Sequence, residues 1–115
     1  LEEGVEFWLG TDNAMVCQPD MFSEMAFAWA CLRRSRTSAG SEEAKRILQA
    51  ATVRPASKLG LPMGPIEEGS RATFLVLSRR SNLVNLSDVC AGLVNRARPA
   101  NIRAIFLDGK QIGPK

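Results

Sequence analysis

An aspartate, Asp12, stands at the exit of the apolar run Val5-Glu6-Phe7-Trp8-Leu9, inside the turn-like tetrapeptide Gly10-Thr11-Asp12-Asn13. A carboxylate at the end of a buried strand can give an oxygen to a divalent metal or take a proton from water. Yet the chain contains no histidine. Catalytic zinc and iron take most of their ligands as imidazole nitrogens, so Asp12 either organises a loop or works with ligands that lie elsewhere. Asp and Asn in such a stretch also satisfy loop backbone groups, and this is the expected role of Thr11 and Asn13.

The other reactive side chains carry less. Cys17, Cys31 and Cys90 are odd in number and lack C-x-x-C spacing, so neither a disulfide framework nor a structural zinc site is indicated. Reduced thiols in a cytoplasmic protein are expected. Cys31 falls in the apolar stretch Met25 to Leu32 and reads as a small core hydrophobe, whereas Cys17, in the loop after Asp12, is more accessible. It has no histidine to deprotonate it as a nucleophile. The Met and aromatic residues of Met21 to Leu32 recur at helical spacing, which assigns them to packing rather than to a ligand box.

Composition excludes several classes. With 115 residues, 45% hydrophobic and 23% charged, the chain suits one globular unit. No window approaches the roughly 18 consecutive apolar residues of a membrane span, and Leu1-Glu2-Glu3-Gly4 is acidic where a secretory signal is basic. Net charge is +3, but Arg33-Arg34, Arg79-Arg80, Arg96 and Arg98 have no interleaved aromatics on which bases would stack. Neither a membrane nor a nucleic acid is an expected partner.

The elements that would position Asp12 begin with Val5 to Leu9, whose continuous apolar tail predicts a strand covered on both faces. Leu1 to Gly4 is a short lead-in, and Leu1 is not a start methionine. After the Asp12 loop, Asp20 to Leu32 predicts a helix, with Pro19 in its first turn and Asp20 as an acid at the positive end of the dipole. Met21, Met25, Ala28 and Leu32, and again Phe22, Ala26 and Trp29, give it a wide apolar surface. Ser41-Glu42-Glu43 opens a second helix with Ser41 as N-cap and Ala44, Ile47, Leu48 and Ala51 inward. A short third helix is expected from Pro55 to Leu59, closed by Gly60.

From Leu61 the pattern changes to short β elements. Ala72 to Leu77 is a β-prone run, and Asp88 to Arg96 carries a helical period. Ile102 to Leu107, Asp108-Gly109 and Lys110 to Ile112 predict a hairpin with a type I′ turn.

Taken in order, several words resemble the C-terminal part of the amidohydrolase superfamily, in its cytosine-deaminase-like and chlorohydrolase-like branch. They are Leu9-Gly10-Thr11-Asp12-Asn13, Pro19-Asp20-Met21-Phe22-Ser23-Glu24-Met25, Ala50-Ala51-Thr52-Val53-Arg54-Pro55-Ala56, Leu59-Gly60-Leu61, Gly64-Pro65-Ile66-Glu67-Glu68-Gly69-Ser70-Arg71-Ala72 and Phe106-Leu107-Asp108-Gly109-Lys110. The match runs from about Val5 to Ile112. Thr73 departs from it, since the family usually has an acid there, at a turn contact.

The resemblance implies an α/β fold: residues 1–60 as the end of a (β/α)8 barrel, its last strand and helices, and residues 61–115 as the C-terminal strands of a small β-sandwich. It implies for Asp12 a place beside a divalent metal (zinc, iron or manganese), where it is metal ligand and catalytic residue and takes a proton from metal-bound water. The family's histidines would all precede Leu1. The chain therefore reads as a fragment of a hydrolase acting on C–N or C–halogen bonds of cyclic amidine-like or aromatic-amine small molecules. By itself it is expected to hold no stoichiometric metal and to be inactive. The alternative is a non-catalytic structural or assembly module derived from the same fold. In either case Phe7, Trp8, Met25 and Trp29 are expected to lack cover, and self-association follows.

Overall fold

The computed structural model describes residues 5–35 and 39–114, so the lead-in Leu1 to Gly4 lies outside the described residues. Its first regular element is α1 (Met21–Ser35). Asp20 is the N-cap of this helix and lies outside its first turn: Oδ1 accepts the Phe22 N–H at 2.9 Å and Oδ2 the Ser23 hydroxyl at 2.6 Å. One orphan backbone donor of the helix start and one first-turn hydroxyl are served by one short side chain. Pro19 therefore precedes the cap and is not part of the helix.

Met25, Trp29 and Leu32 are the buried residues of α1, spaced as one face of a 3.6-residue period. Phe27 and Cys31, one turn apart on the flank, are exposed instead. The expectation that Cys31 is a core residue is corrected: an apolar stretch is wider than the face its neighbours cover.

The second helix, α2 (Ser41–Ala50), starts one residue earlier than its serine suggested. Gly40 is the cap, with no side chain to offer, and Glu43 reaches back so that its Oε2 accepts the Gly40 N–H at 2.9 Å. This is the half of a capping box supplied by the third helical residue. Ala44, Ile47 and Ala50 are buried. Next comes α3 (Val53–Lys58), two residues upstream of the predicted start. Gly60 ends it at φ 63°, with Leu61 N–H bonded to Ala56 O at 2.9 Å and Gly60 N–H to Ser57 O at 3.2 Å. That is the Schellman arrangement, in which the residue after the cap must be left-handed.

Three strands follow the predicted β pattern. β1 (Phe74–Leu77), β2 (Ile102–Leu107) and β3 (Lys110–Gly113) form one antiparallel sheet in that order. Phe74 faces Phe106 across the first pair, their rings stacked at 4.9 Å. Asp108 at φ 48° and Gly109 at φ 78° make the two-residue turn between β2 and β3. Both central residues are left-handed, as a type I′ turn requires. Thr73 keeps a turn contact despite its departure from the family pattern, because its Oγ1 accepts the Asp108 N–H at 3.2 Å. Among the described residues there is no second sheet.

Between β1 and β2 runs α4 (Val89–Arg96), capped by Asp88, whose Oδ1 accepts the Ala91 N–H at 2.9 Å. It packs on α1 and α2, so the core joins Met25, Trp29, Leu32, Ala44, Ile47 and Val94. Met25 and Trp29, expected to be bare, are buried by this helical layer. Fully burying an Ile47 or Val94 side chain contributes about 1.5–3 kcal/mol. Between the short 3-10 turns Ser81–Leu83 and Pro99–Asn101, Asn82 and Asn101 exchange amide bonds at 3.0 and 2.7 Å. The buried Asn101 also accepts the Arg98 N–H at 2.9 Å, so its polar atoms are satisfied.

Candidate functional site

Val5 to Leu9, which leads to Asp12, does not form a strand. Phe7 and Leu9 lean on the core while Glu6 and Trp8 face outward, so one face is covered and not both. Among the described residues its backbone bond runs from Leu9 N–H to Ala50 O at 3.1 Å, a carbonyl left over at the end of α2. A strand needs a neighbouring ladder, and no strand among the described residues lies beside this segment. Glu6 also meets Lys58 of α3 at 3.3 Å.

Asp12 then sits exposed with φ 42°, a left-handed conformation that Asp tolerates better than most residues. Loop building falls to its neighbour. Asn13 Oδ1 accepts the Met15 N–H at 2.9 Å, and Asn13 O accepts the Val16 N–H at 3.0 Å, closing a turn over residues 13–16. Among the described residues the Asp12 carboxylate has no hydrogen-bond or ion-pair partner. Asp20, the next acid, has both oxygens engaged in the cap of α1. Two acids of one loop are thus divided between helix start and solvent.

No group of three or more His, Cys, Asp or Glu converges among the described residues. One free carboxylate with no imidazole does not satisfy a catalytic divalent ion, so this chain's residues do not by themselves fit such a centre. Cys17, in the same loop, is exposed, and no helix is long and apolar enough to cross a membrane.

Several polar groups escaped the sequence reading. Arg71 holds Asp108 in the hairpin turn, Asn82 pairs with Asn101, and Asp88 Oδ1 accepts the Ala91 N–H at the start of α4. Of these, Asp88 three residues before Ala91 at a helix start carried a readable capping signal. The others join residues 19 or 37 positions apart and leave no local trace.

A model of the amidohydrolase family matches residues 1–112. A 5-methylthioadenosine/S-adenosylhomocysteine deaminase of Pyrococcus furiosus is 33% identical over 112 residues, covering 96% of this chain and 27% of that protein. A 5'-deoxyadenosine deaminase of Methanosarcina mazei is 33% identical over 112 residues, with 96% and 26% covered. Its counterpart in Methanosarcina acetivorans is 32% identical over the same length, with the same coverage. The chain spans about a quarter of the length of these curated relatives. No solved structure matches it significantly.

Proposed function

The chain belongs to the amidohydrolase family, and on that premise we propose that it forms the C-terminal part of a hydrolase that deaminates an adenosine-type nucleoside. Those relatives are named as deaminases of 5-methylthioadenosine and S-adenosylhomocysteine or of 5'-deoxyadenosine, which supports this substrate class. It is narrower than cyclic amidines and aromatic amines at large. In such a reaction water adds to the ring carbon that carries the exocyclic amine, and the amine leaves as ammonia.

One observation carries the role of Asp12. Its neighbour Asn13 closes the loop and Asp20 caps the helix, so the Asp12 carboxylate is left exposed in a left-handed turn, without a partner among the described residues. A carboxylate whose oxygens are not spent on the loop suits a group that must accept a proton from the attacking water. The family is generally metal-dependent. A divalent metal there would supply water activation; Asp12 would contribute one oxygen to it, and the remaining ligands would come from outside these residues. A polypeptide of these residues alone is expected to be inactive.

The test is ammonia release from 5'-deoxyadenosine and 5-methylthioadenosine by the protein made from its complete reading frame, with and without Asp12→Asn. The substitution should lower kcat/KM by about 10²–10⁴. An unchanged kcat/KM would remove Asp12 from the mechanism, and a wild-type protein inert on every aminopurine nucleoside would overturn the substrate class.

A further inference from the structure

A cleft of about 310 Å³ opens between α1 and α4, bordered by the loop that leads into α4. Its lining includes Trp29 and Arg33 from α1, Arg96 from α4, and Asn85, Ser87 and Asp88 from the loop. We propose that this cleft binds a small oxyanion, a phosphate or a carboxylate, between the guanidinium groups of Arg33 and Arg96. Asp12 is not among its lining residues, and the proposal is independent of the deaminase reading.

Arginines in the last turn of a helix ordinarily answer the carbonyls and the dipole at that end. Here other groups already do so. For α4, Arg98 Nη1 donates to Asn95 O at 3.1 Å and to Ala97 O at 2.7 Å, and the Asn82 amide donates to Arg96 O. For α1, the Ser35 hydroxyl donates to Leu32 O at 2.9 Å. Among the described residues the Arg33 and Arg96 side chains have neither a carboxylate nor a hydrogen-bond acceptor. Two cations therefore border one concave space with their donors unspent.

The described lining of the cleft carries two guanidinium groups against one carboxylate, Asp88, which leaves a net formal charge of +1. That carboxylate is engaged as the cap of α4, where its Oδ1 accepts the Ala91 N–H at 2.9 Å. Asn85, held at φ 51°, and Ser87 add neutral groups able to donate. Planar guanidinium groups match the paired oxygens of phosphate or carboxylate, and the volume lies at the lower end for small-molecule sites.

Calorimetric titration of the 115-residue chain at low salt with inorganic phosphate, and separately with succinate, tests this. One-to-one saturable binding of either anion is expected, weakened at least tenfold by Arg33→Ala and by Arg96→Ala. Saturation by phosphate alone assigns a phosphate ligand, and by succinate alone a carboxylate. Arg79→Ala removes the same charge from an exposed position outside the cleft and should leave affinity within twofold. If Arg96→Ala fails to fold by circular dichroism, Arg96→Lys keeps the charge, loses the fork, and should still weaken binding. Absence of saturable binding for both anions, or an equal loss in Arg79→Ala, overturns the proposal.

Discussion

Arg71 Nη1 lies 3.2 and 3.1 Å from the two carboxylate oxygens of Asp108, joining the segment before β1 to the hairpin turn 37 residues later. Beside this pair, Gly109 N–H donates to Ala72 O at 2.8 Å and Asp108 N–H to Thr73 Oγ1, so three contacts fasten the turn. Both charged side chains are more than half exposed. Exposed pairs contribute about 0.2–1 kcal/mol, so Arg71→Ala should lower stability by that amount in urea denaturation. Asp108→Asn, which still tolerates the left-handed turn, should match it, and the double variant should cost no more than either alone. Additive losses would show that the two residues act separately.

Gly92 is where α4 meets the side chain of Leu86. A Cβ at this position would sit 2.5 Å from Leu86 Cδ2. Gly92→Ala improves helix propensity but forces the Leu86 side chain to move, and overpacking of this kind costs about 1–3 kcal/mol. Combining it with Leu86→Ala should recover part of the loss. A more stable Gly92→Ala chain in thermal denaturation would refute the close approach.

Acid should weaken the start of α4. The Ala91 backbone N–H, then the Ser41 hydroxyl, hold the Asp88 carboxyl below its ordinary value of 3.8. A group whose folded pKa is lowered adds stability above the unfolded value, and that stability is lost as pH falls through the folded pKa. Asp88→Asn keeps a capping amide but no charge. The gap in urea midpoint between wild type and this variant should therefore be constant at neutral pH and close below about pH 4. A gap that persists in acid would place the effect in the cap geometry instead of the charge.

Self-association is proposed through the outer flank of α1 and the Val5 to Leu9 segment. Phe27 is 68% and Trp8 47% exposed, while Phe7, Leu9, Phe27 and Cys31 line an apolar groove of about 430 Å³. Light scattering behind size exclusion should find a dimer or larger species that Phe27→Glu dissociates. A wild-type monomer at high concentration would count against it.

Asp12→Asn should leave the stability of the 115-residue chain within about 0.5 kcal/mol, since the carboxylate has no partner among the described residues and Asn accepts the same left-handed backbone. Equilibrium urea unfolding of both forms checks this. A large loss would return Asp12 to the loop-building role that Asn13 holds.

Much of the chain was decided locally. Capping by Asp20 and Asp88, the Gly60 stop and the Asp108-Gly109 turn depend on dihedral preferences and hydrogen bonds spanning a few residues, which side-chain type controls directly. The candidate carboxylate was legible for the same reason: Asp12 ends an apolar run, and the family words surround it.

Tertiary structure decided what needs a distant partner. Val5 to Leu9 has the composition of a strand but stays unladdered, because strand identity requires a second backbone at hydrogen-bonding distance. Cys31 is exposed and Trp29 buried although both belong to one apolar stretch, since α2 and α4 cover only one face of α1. The Asn82–Asn101 pair and the Arg33–Arg96 cleft likewise arise when segments far apart in the chain pack together. Local preference determines how a segment can be shaped; which of its faces and polar groups meet a partner is set by the packing of the whole chain.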